Sequence, residues 1–128
     1  MTTWVGVSDY LHANYKIARE REGQIALILE TTDGRSQQVS IDLELMGEEP
    51  WICITSGFGE VGQVNLENAL AVIDSRIFGA IGRAGNFYVV KHSAPVADMS
   101  VEELALPMHL TASIADEIES KVGIGDRF

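Results

Sequence analysis

The chain has 128 residues, of which 46% are hydrophobic and 22% are charged, as in an ordinary single globular domain. Nineteen acidic residues against nine basic residues give a net charge of −10, which disfavours contact with nucleic acid or with an anionic membrane surface. No apolar run is long enough to cross a bilayer, and the N-terminal residues lack the basic region of a secretory signal. We therefore expect one cytoplasmic domain over residues 1–128.

The first half of the chain predicts a short helix followed by antiparallel strands. The helix is expected after Ser8, a good N-cap, over the sequence DYLHANY. The alternating run YKIARE, the turn REG and the apolar run QIALILETT then predict a hairpin. Asp33-Gly34 favours a type I′ turn, since both of its central residues need a positive φ. Two further strands are expected at SQQVSIDLEL and WICITS, with MGEEP as the loop between them.

The second half predicts two longer helices around a further pair of strands. Asn65 is a good N-cap for a helix whose apolar residues recur at helical spacing up to Ile77. GAIGRAG is compatible with a short paired strand, and NFYVVKHS predicts a strong one. SVEE fits a capping box, after which the main helix is expected to start near Pro107 and to stop at Gly123. The fold class is therefore α+β, with an antiparallel sheet of about five strands in the order α-β-β-β-(β)-α-β-β-α.

The stretch SGFGEVG, residues 56–62, spells the G-x-G-x-x-G pattern of a dinucleotide-binding turn. Three details oppose that reading. The best N-cap, Asn65, comes after the last glycine, and Glu60 would place a negative charge beside the phosphates. The ribose-binding acid is also missing, because no acid occurs between Asp74 and Asp98. We therefore interpret the stretch as a strand-to-helix connection and expect no cofactor.

No residue pattern predicts catalysis or metal binding. The three histidines, His12, His92 and His109, are far apart and belong to no metal-binding motif. The only cysteine, Cys53, lies in an apolar run where a buried structural thiol is expected, and it excludes an intrachain disulfide. The acids of ADEIES diverge around a helix and predict a solvated face. We expect a protein that is not an enzyme and has no catalytic or metal site.

The order of elements and the C-terminal sequence LPMHLTASIADEIESKVGIGDRF resemble the YbjN-like proteins, which are similar in fold to type III secretion chaperones. That fold runs helix, three-stranded antiparallel sheet, helix, two strands, helix. The resemblance is carried by residues 25–41, 51–59, 65–74, 86–96 and 115–120 with the GD that follows. It implies a small acidic protein, often dimeric, that binds another polypeptide, as the secretion chaperones hold an extended segment of their client. YbjN-like proteins themselves are described only loosely, as sensory or stress regulators.

The leading hypothesis is thus a non-enzymatic protein-binding module, chaperone-like or regulatory, that holds a partner polypeptide on an apolar surface. The candidate contacts are Phe58, Trp51 and Val72, and Phe58 is favoured because it is an aromatic residue between two glycines in an expected connection. A homodimer is a further expectation. Two alternatives stay open: a small ligand-binding protein or enzyme with a pocket at residues 56–62, and a longin- or roadblock-type scaffold domain.

Overall fold

The computed structural model describes residues 2–122, and it has the expected α+β architecture. The predicted stop at Gly123 lies outside these residues. Three α-helices, one short 3-10 helix and six strands follow one another along the described chain. In order they are α1 (Trp4–Asn14), β1 (Lys16–Arg21), β2 (Gln24–Glu30), β3 (Ser36–Met46), β4 (Glu49–Glu60), α2 (Leu66–Asp74), β5 (Ala80–Ala84), β6 (Phe87–Pro95), the 3-10 helix (Val101–Leu104) and α3 (Ala105–Val122).

The six strands form one antiparallel sheet in the order β1-β2-β3-β4-β6-β5, so the optional strand before α2 is present. Tight turns join β1 to β2, β2 to β3, β3 to β4, and β5 to β6. At the second of these turns Asp33 and Gly34 have φ values of 54° and 77°, and the Arg35 N–H donates to the Thr32 carbonyl at 3.0 Å. The type I′ turn predicted from Asp33-Gly34 is therefore confirmed.

β4 is longer than predicted and corrects the interpretation of SGFGEVG. Residues 56–60 of that stretch continue the strand, and only Val61 begins the connection to α2. The pairing of β4 with β6 shifts by one residue between Gly57 and Gly59, which makes a β-bulge. The expectation of a connection was wrong because glycine inside a strand can mark a bulge as well as an end.

The helix starts differ from prediction by a few residues. α1 begins at Trp4, and its N-cap is Thr3, whose Oγ1 accepts from the Gly6 N–H at 3.2 Å, so the expected N-cap at Ser8 was wrong. The capping box at Ser100 and Glu103 is confirmed. α3 follows directly at Ala105, two residues before the expected start at Pro107. Proline is accommodated there because the N–H groups of the first helical turn have no partner within the helix.

All three helices pack on one face of the sheet, which we call the helix-covered face. One core cluster joins Val7 and Leu11 of α1 and Met108 of α3 to apolar residues of β2, β3 and β4. A second cluster joins Ala69 of α2 and Ile118 of α3 to apolar residues at the other end of the sheet. α3 contributes to both clusters, so one helix connects the two halves of the core.

We predict that Met108→Ala destabilises the protein by about 2–5 kcal/mol, because it removes a side chain that is 0% exposed and leaves a cavity. Leu106→Ala is the matched control, since Leu106 lies on the same helix but is 66% exposed. It should change the free energy of unfolding by no more than about 0.5 kcal/mol. Urea denaturation followed by circular dichroism measures both. Equal losses of stability in the two variants would contradict the burial of Met108 and the exposure of Leu106 on α3.

Candidate functional site

The opposite face of the sheet carries no helix in the described chain, and we call it the helix-free face. Strand alternation places every second residue of each strand on it. Its middle row runs across the strands through the paired positions Arg19, Ala26, Ser40, Thr55 and Lys91. The row nearer the β3–β4 turn contains Asp42, Cys53 and Ser93, and the row on the other side contains Gln38, Gly57 and Val89.

A hollow of about 560 Å³ lies beside the bulge, and we call it the Gly57 hollow; most of its border is on this face, and Glu119 of α3 borders it from the other side. Because Gly57 has no side chain, nothing projects from the sheet at this position and a depression forms. Arg19, Ser40 and Thr55 border the hollow on one side, and Phe87 and Val89 border it on the other. Val89 is buried at its base, whereas Phe87 is 49% exposed at its rim. The volume falls within the usual range for ligand pockets.

The two glycines of the bulge have different physical roles. A Cβ atom built on Gly59 would lie 2.1 Å from Cγ2 of Val64, so any side chain there would collide with the core. A Cβ atom on Gly57 would meet only the Tyr88 carbonyl oxygen, at 3.9 Å. Gly59 is therefore required by packing, whereas Gly57 leaves space open to the outside.

A buried polar network fixes the strands beside the hollow. The Gln37 side-chain amide donates from Nε2 to Ser56 Oγ and to the Gly57 carbonyl oxygen, both at 2.9 Å. The Ser56 hydroxyl in turn donates to the Gln38 carbonyl oxygen at 2.9 Å. Gln37 and Ser56 are both buried, so losing either partner would leave polar groups unsatisfied. The network therefore holds β3 against β4 at the bulge.

The basic residues near the hollow form no ion pairs in the described chain, whereas a nearby acid accepts hydrogen bonds. Within residues 2–122, neither Arg19 nor Lys91 takes part in an ion pair. Asp42 of the helix-free face accepts from Gln24 Nε2 at 3.1 Å and from Ser40 Oγ at 2.9 Å, and Glu60 pairs in the sheet with Phe87 at the rim of the hollow. Glu119 of α3 reaches the margin of the hollow, where burial, and then the charge of Asp116, raise the pKa of its carboxyl.

A smaller hollow of about 320 Å³ lies on the same face near the β3–β4 turn. It is bordered by Trp51, Met46 and Cys53, and also by Lys91 of the middle row. The Trp51 indole N–H donates to Glu49 Oε1 at 2.9 Å, so the ring is held along the strand. Cys53 is buried at this position, as the sequence predicted.

The structure separates the three predicted contact residues. Trp51 lies on the helix-free face, but Phe58 is 2% exposed, belongs to the second core cluster and stacks on Tyr88 at 6.1 Å between ring centroids. Its burial contradicts the prediction that Phe58 is an exposed contact. Once residues 56–60 are recognised as strand, alternation places Phe58 on the same side as Ile54. Val72 is half-buried against the second cluster, away from the helix-free face.

Sequence reasoning missed the residues that shape the Gly57 hollow, above all Arg19, Phe87 and Val89. Residues 51–58 do contain a pattern that indicates the open face. Alternate residues in this stretch differ in size and polarity. Ile52, Ile54 and Phe58 are large and apolar, whereas Thr55 and Gly57 are small. That contrast separates a core face from an open face, but it applies only if the strand extends beyond Ser56.

The histidines do not form a site in the described part of the chain. His12 Nε2 lies 2.8 Å from Glu20 Oε1, and the ring of His109 is near Tyr15. The ring of His92 stacks on Phe78 at 4.6 Å on the helix-covered face, where burial lowers its pKa. Residues 2–122 hold no group of three or more His, Cys, Asp or Glu side chains that could bind a metal ion.

Comparison with known proteins found no match to a family model, to a curated protein or to a solved structure. Among the described residues, no helix is both long and apolar enough to span a membrane. The functional inference therefore depends on the geometry of the helix-free face.

We predict opposite outcomes for the two glycines of the bulge. Gly59→Ala should destabilise the protein by about 1–3 kcal/mol, because its Cβ overpacks against Val64. Gly57→Ala should be neutral or slightly stabilising, since the position is open and alanine reduces the entropy of the unfolded chain. Thermal and urea unfolding of both variants test this. Recovery of stability in Gly59→Ala/Val64→Ala would identify the clash as the cause, and destabilisation by Gly57→Ala would contradict the open position.

Proposed function

We propose that the protein is a non-enzymatic protein-binding module that holds an extended segment of a partner polypeptide on the helix-free face. The observation that carries the proposal is the Gly57 hollow, an opening beside apolar side chains on a sheet face that no described helix covers. A face that only meets water is expected to carry polar side chains throughout. Here β3 is polar at Gln38 and Ser40, but β4 and β6 present Gly57, Val89 and Phe87 instead.

The dimensions of the face suit a short segment. Six strands spaced about 4.8 Å apart, with strands of roughly 20 Å, give a face of about 500 Å². A standard interface buries about 800 Å² on each partner, so the face alone corresponds to a small interface. The two hollows are separated along β4, with Thr55 and Lys91 between them. A segment lying along the strands would reach both.

The resemblance to the YbjN-like proteins supports the same function, because chaperones of similar fold bind extended polypeptides. We also propose a cytoplasmic location, which is consistent with the buried, unpaired thiol of Cys53.

A small-molecule ligand is the second candidate, because the Gly57 hollow forms at the glycines where a ligand pocket was the alternative expectation. The two candidates differ in what stabilises the protein. A small ligand that binds the folded state raises the melting temperature by mass action. A thermal-shift screen with nucleotides, carboxylic acids and metals therefore addresses this candidate.

We predict that filling the hollow weakens polypeptide binding without loss of stability. Gly57→Val places a β-branched side chain, which suits a strand, into the open space. Peptides selected from a random phage-displayed library on the wild-type protein should bind Gly57→Val at least about tenfold more weakly, a loss of about 1.4 kcal/mol. Affinities are measured by fluorescence anisotropy with synthetic peptides.

Ala80→Val is the matched control, because Ala80 is exposed on the same face but borders neither hollow. It should leave the affinity nearly unchanged. Equal binding by wild type and Gly57→Val would contradict the proposal, as would a selection that enriches no peptide on a protein that unfolds cooperatively.

We further propose that two copies pair through β5. The edge strand β1 is protected by charged residues and by a bulge between Ile17 and Arg19. β5, the other edge, has only Arg83 as a charged residue, and its pairing with β6 is regular. Antiparallel self-pairing centred on Gly82 would place Gly82 opposite itself and Ala80 opposite Ala84. Such a two-fold contact closes, whereas β1-to-β5 pairing would continue into a filament.

We predict that Gly82→Glu abolishes this dimer, since the two-fold axis would place identical charges directly opposite each other. Ala80→Glu adds the same charge but faces Ala84 of the second copy, so dimerisation should persist. Sedimentation equilibrium over a range of protein concentrations measures both. A wild-type protein that stays monomeric at every concentration would exclude the dimer.

A further inference from the structure

The Gly57 hollow and the smaller hollow lie along the same strand of the helix-free face. Gly57 borders the first and Cys53 borders the second, four residues apart on β4. The pairing of β4 with β6 is regular from Cys53 to Gly57, because its shift comes after Gly57. At about 3.3 Å per residue, the two positions are about 13 Å apart. Regular pairing therefore fixes the distance between the hollows.

Exposed apolar side chains border both hollows. Phe87 is 49% exposed at the rim of the Gly57 hollow, and Met46 is 64% exposed at the border of the smaller hollow. Trp51 is half-buried beside Met46. A side chain that covers these residues removes apolar surface from water, which is favourable. Each hollow can therefore gain affinity from an apolar occupant.

The charged residues do not favour an occupant of either sign, because both signs border each hollow. Arg19 and Glu119 border the Gly57 hollow, and Lys91 and Glu44 border the smaller one. An ionised side chain would meet attraction and repulsion at the same place, and it would also lose its water. A large apolar side chain meets neither cost. It is the favoured occupant of both hollows.

Thr55 separates the two hollows. It lies midway between Cys53 and Gly57 on β4, and its side chain is half-buried on the helix-free face. Its partner Lys91 leans away, since a Cβ atom built on Gly82 of β5 would lie 3.3 Å from Lys91 Cδ. A segment that lies along β4 therefore meets two depressions with the Thr55 side chain between them.

We propose that the partner segment carries two large apolar side chains four residues apart, with a small residue midway between them. This inference rests on the proposed function, since it assumes an extended segment along the strands. In such a segment, residues i, i+2 and i+4 face the same side and span about 13 Å, which equals the distance from Gly57 to Cys53. A spacing of three or five residues would turn one apolar side chain away from the face.

The area of the face favours such a segment over a second folded copy. The face measures about 500 Å² from its strand number and length. A standard interface buries about 800 Å² on each partner, which is more than the face provides. Five extended residues fit within strands of roughly 20 Å. A short segment can therefore use both hollows without further contacts.

The test is a double-mutant cycle between the protein and the most enriched peptide from the phage selection. Each large apolar residue of the peptide is replaced by Ala in turn. Every peptide is measured against wild type, Gly57→Val and Ser93→Leu. Ser93 is exposed and borders the smaller hollow, so leucine fills that hollow from its rim. Ala80→Leu is the matched control, because Ala80 is exposed on the same face but borders neither hollow.

On wild type, each Ala replacement should weaken binding at least about tenfold, as expected for the loss of a buried large apolar side chain. Gly57→Val should remove the effect of one replacement, and Ser93→Leu should remove the effect of the other. Ala80→Leu should leave both effects unchanged. The cycle cancels any change that a variant causes equally in both peptides, so this pattern assigns each apolar side chain to one hollow.

Peptides of altered length test the spacing. One Ala inserted between the two apolar residues should weaken binding at least about tenfold, because it turns one of them away from the face. The same insertion outside the pair is the control and should have no effect. Replacement of the midway residue by Trp should weaken binding to wild type, and Thr55→Ala should reduce that loss, since it removes methyl and hydroxyl groups from the contact.

The outcomes separate this inference from the proposed function. Peptides that require an open Gly57 but tolerate the insertion, or show no coupling to Ser93→Leu, would overturn the two-site segment and leave the polypeptide-binding face intact. Peptides that bind Gly57→Val as tightly as wild type would overturn both. A wild-type dimer that dissociates in both Gly57→Val and Ser93→Leu would show that a second copy covers the face, and it would also overturn the inference.

Discussion

The packing of α3 against the middle of the sheet is the contact on which the rest of the structure depends. Met108 and Ala112 complete the core formed with α1, and Ile114 and Ile118 complete the core formed with α2. Because one helix serves both clusters, every helix of the described chain is held on the same side. The opposite side is consequently free, and its chemistry is determined by strand residues alone.

The bulge in β4 links the core to this free side. The chain passes from the core cluster at Phe58 to the connection before α2, and it must keep Gly59 close to Val64. Packing therefore requires glycine at 59 but not at 57. The absence of a side chain at Gly57, next to a buried polar network that holds the strands, creates a rigid opening. Rigidity matters for binding, because an ordered site loses less entropy when it is occupied.

The sequence predicted those features that depend on local residue patterns. Alternation identified four strands before α2, Asp33-Gly34 identified a turn that needs positive φ, and Ser100 with Glu103 identified a cap. The strand end at Ser56 and the role of Phe58 were wrong, because glycines have no side chain by which alternation can be followed. The pairing of Arg19, Ala26, Ser40, Thr55 and Lys91 could not be predicted, since it depends on the registers of five strands.

The net charge of the chain and the individual charges of the helix-free face act over different distances. At physiological ionic strength, interactions between exposed charges are largely screened beyond about 8 Å. The net charge of −10 therefore acts mainly on solubility and on distant encounters. Within that distance, a segment on the helix-free face meets charges of both signs, because Arg19 and Lys91 share the face with Asp42 and Glu60. Its binding therefore depends more on the shape of the Gly57 hollow than on the charge of the chain.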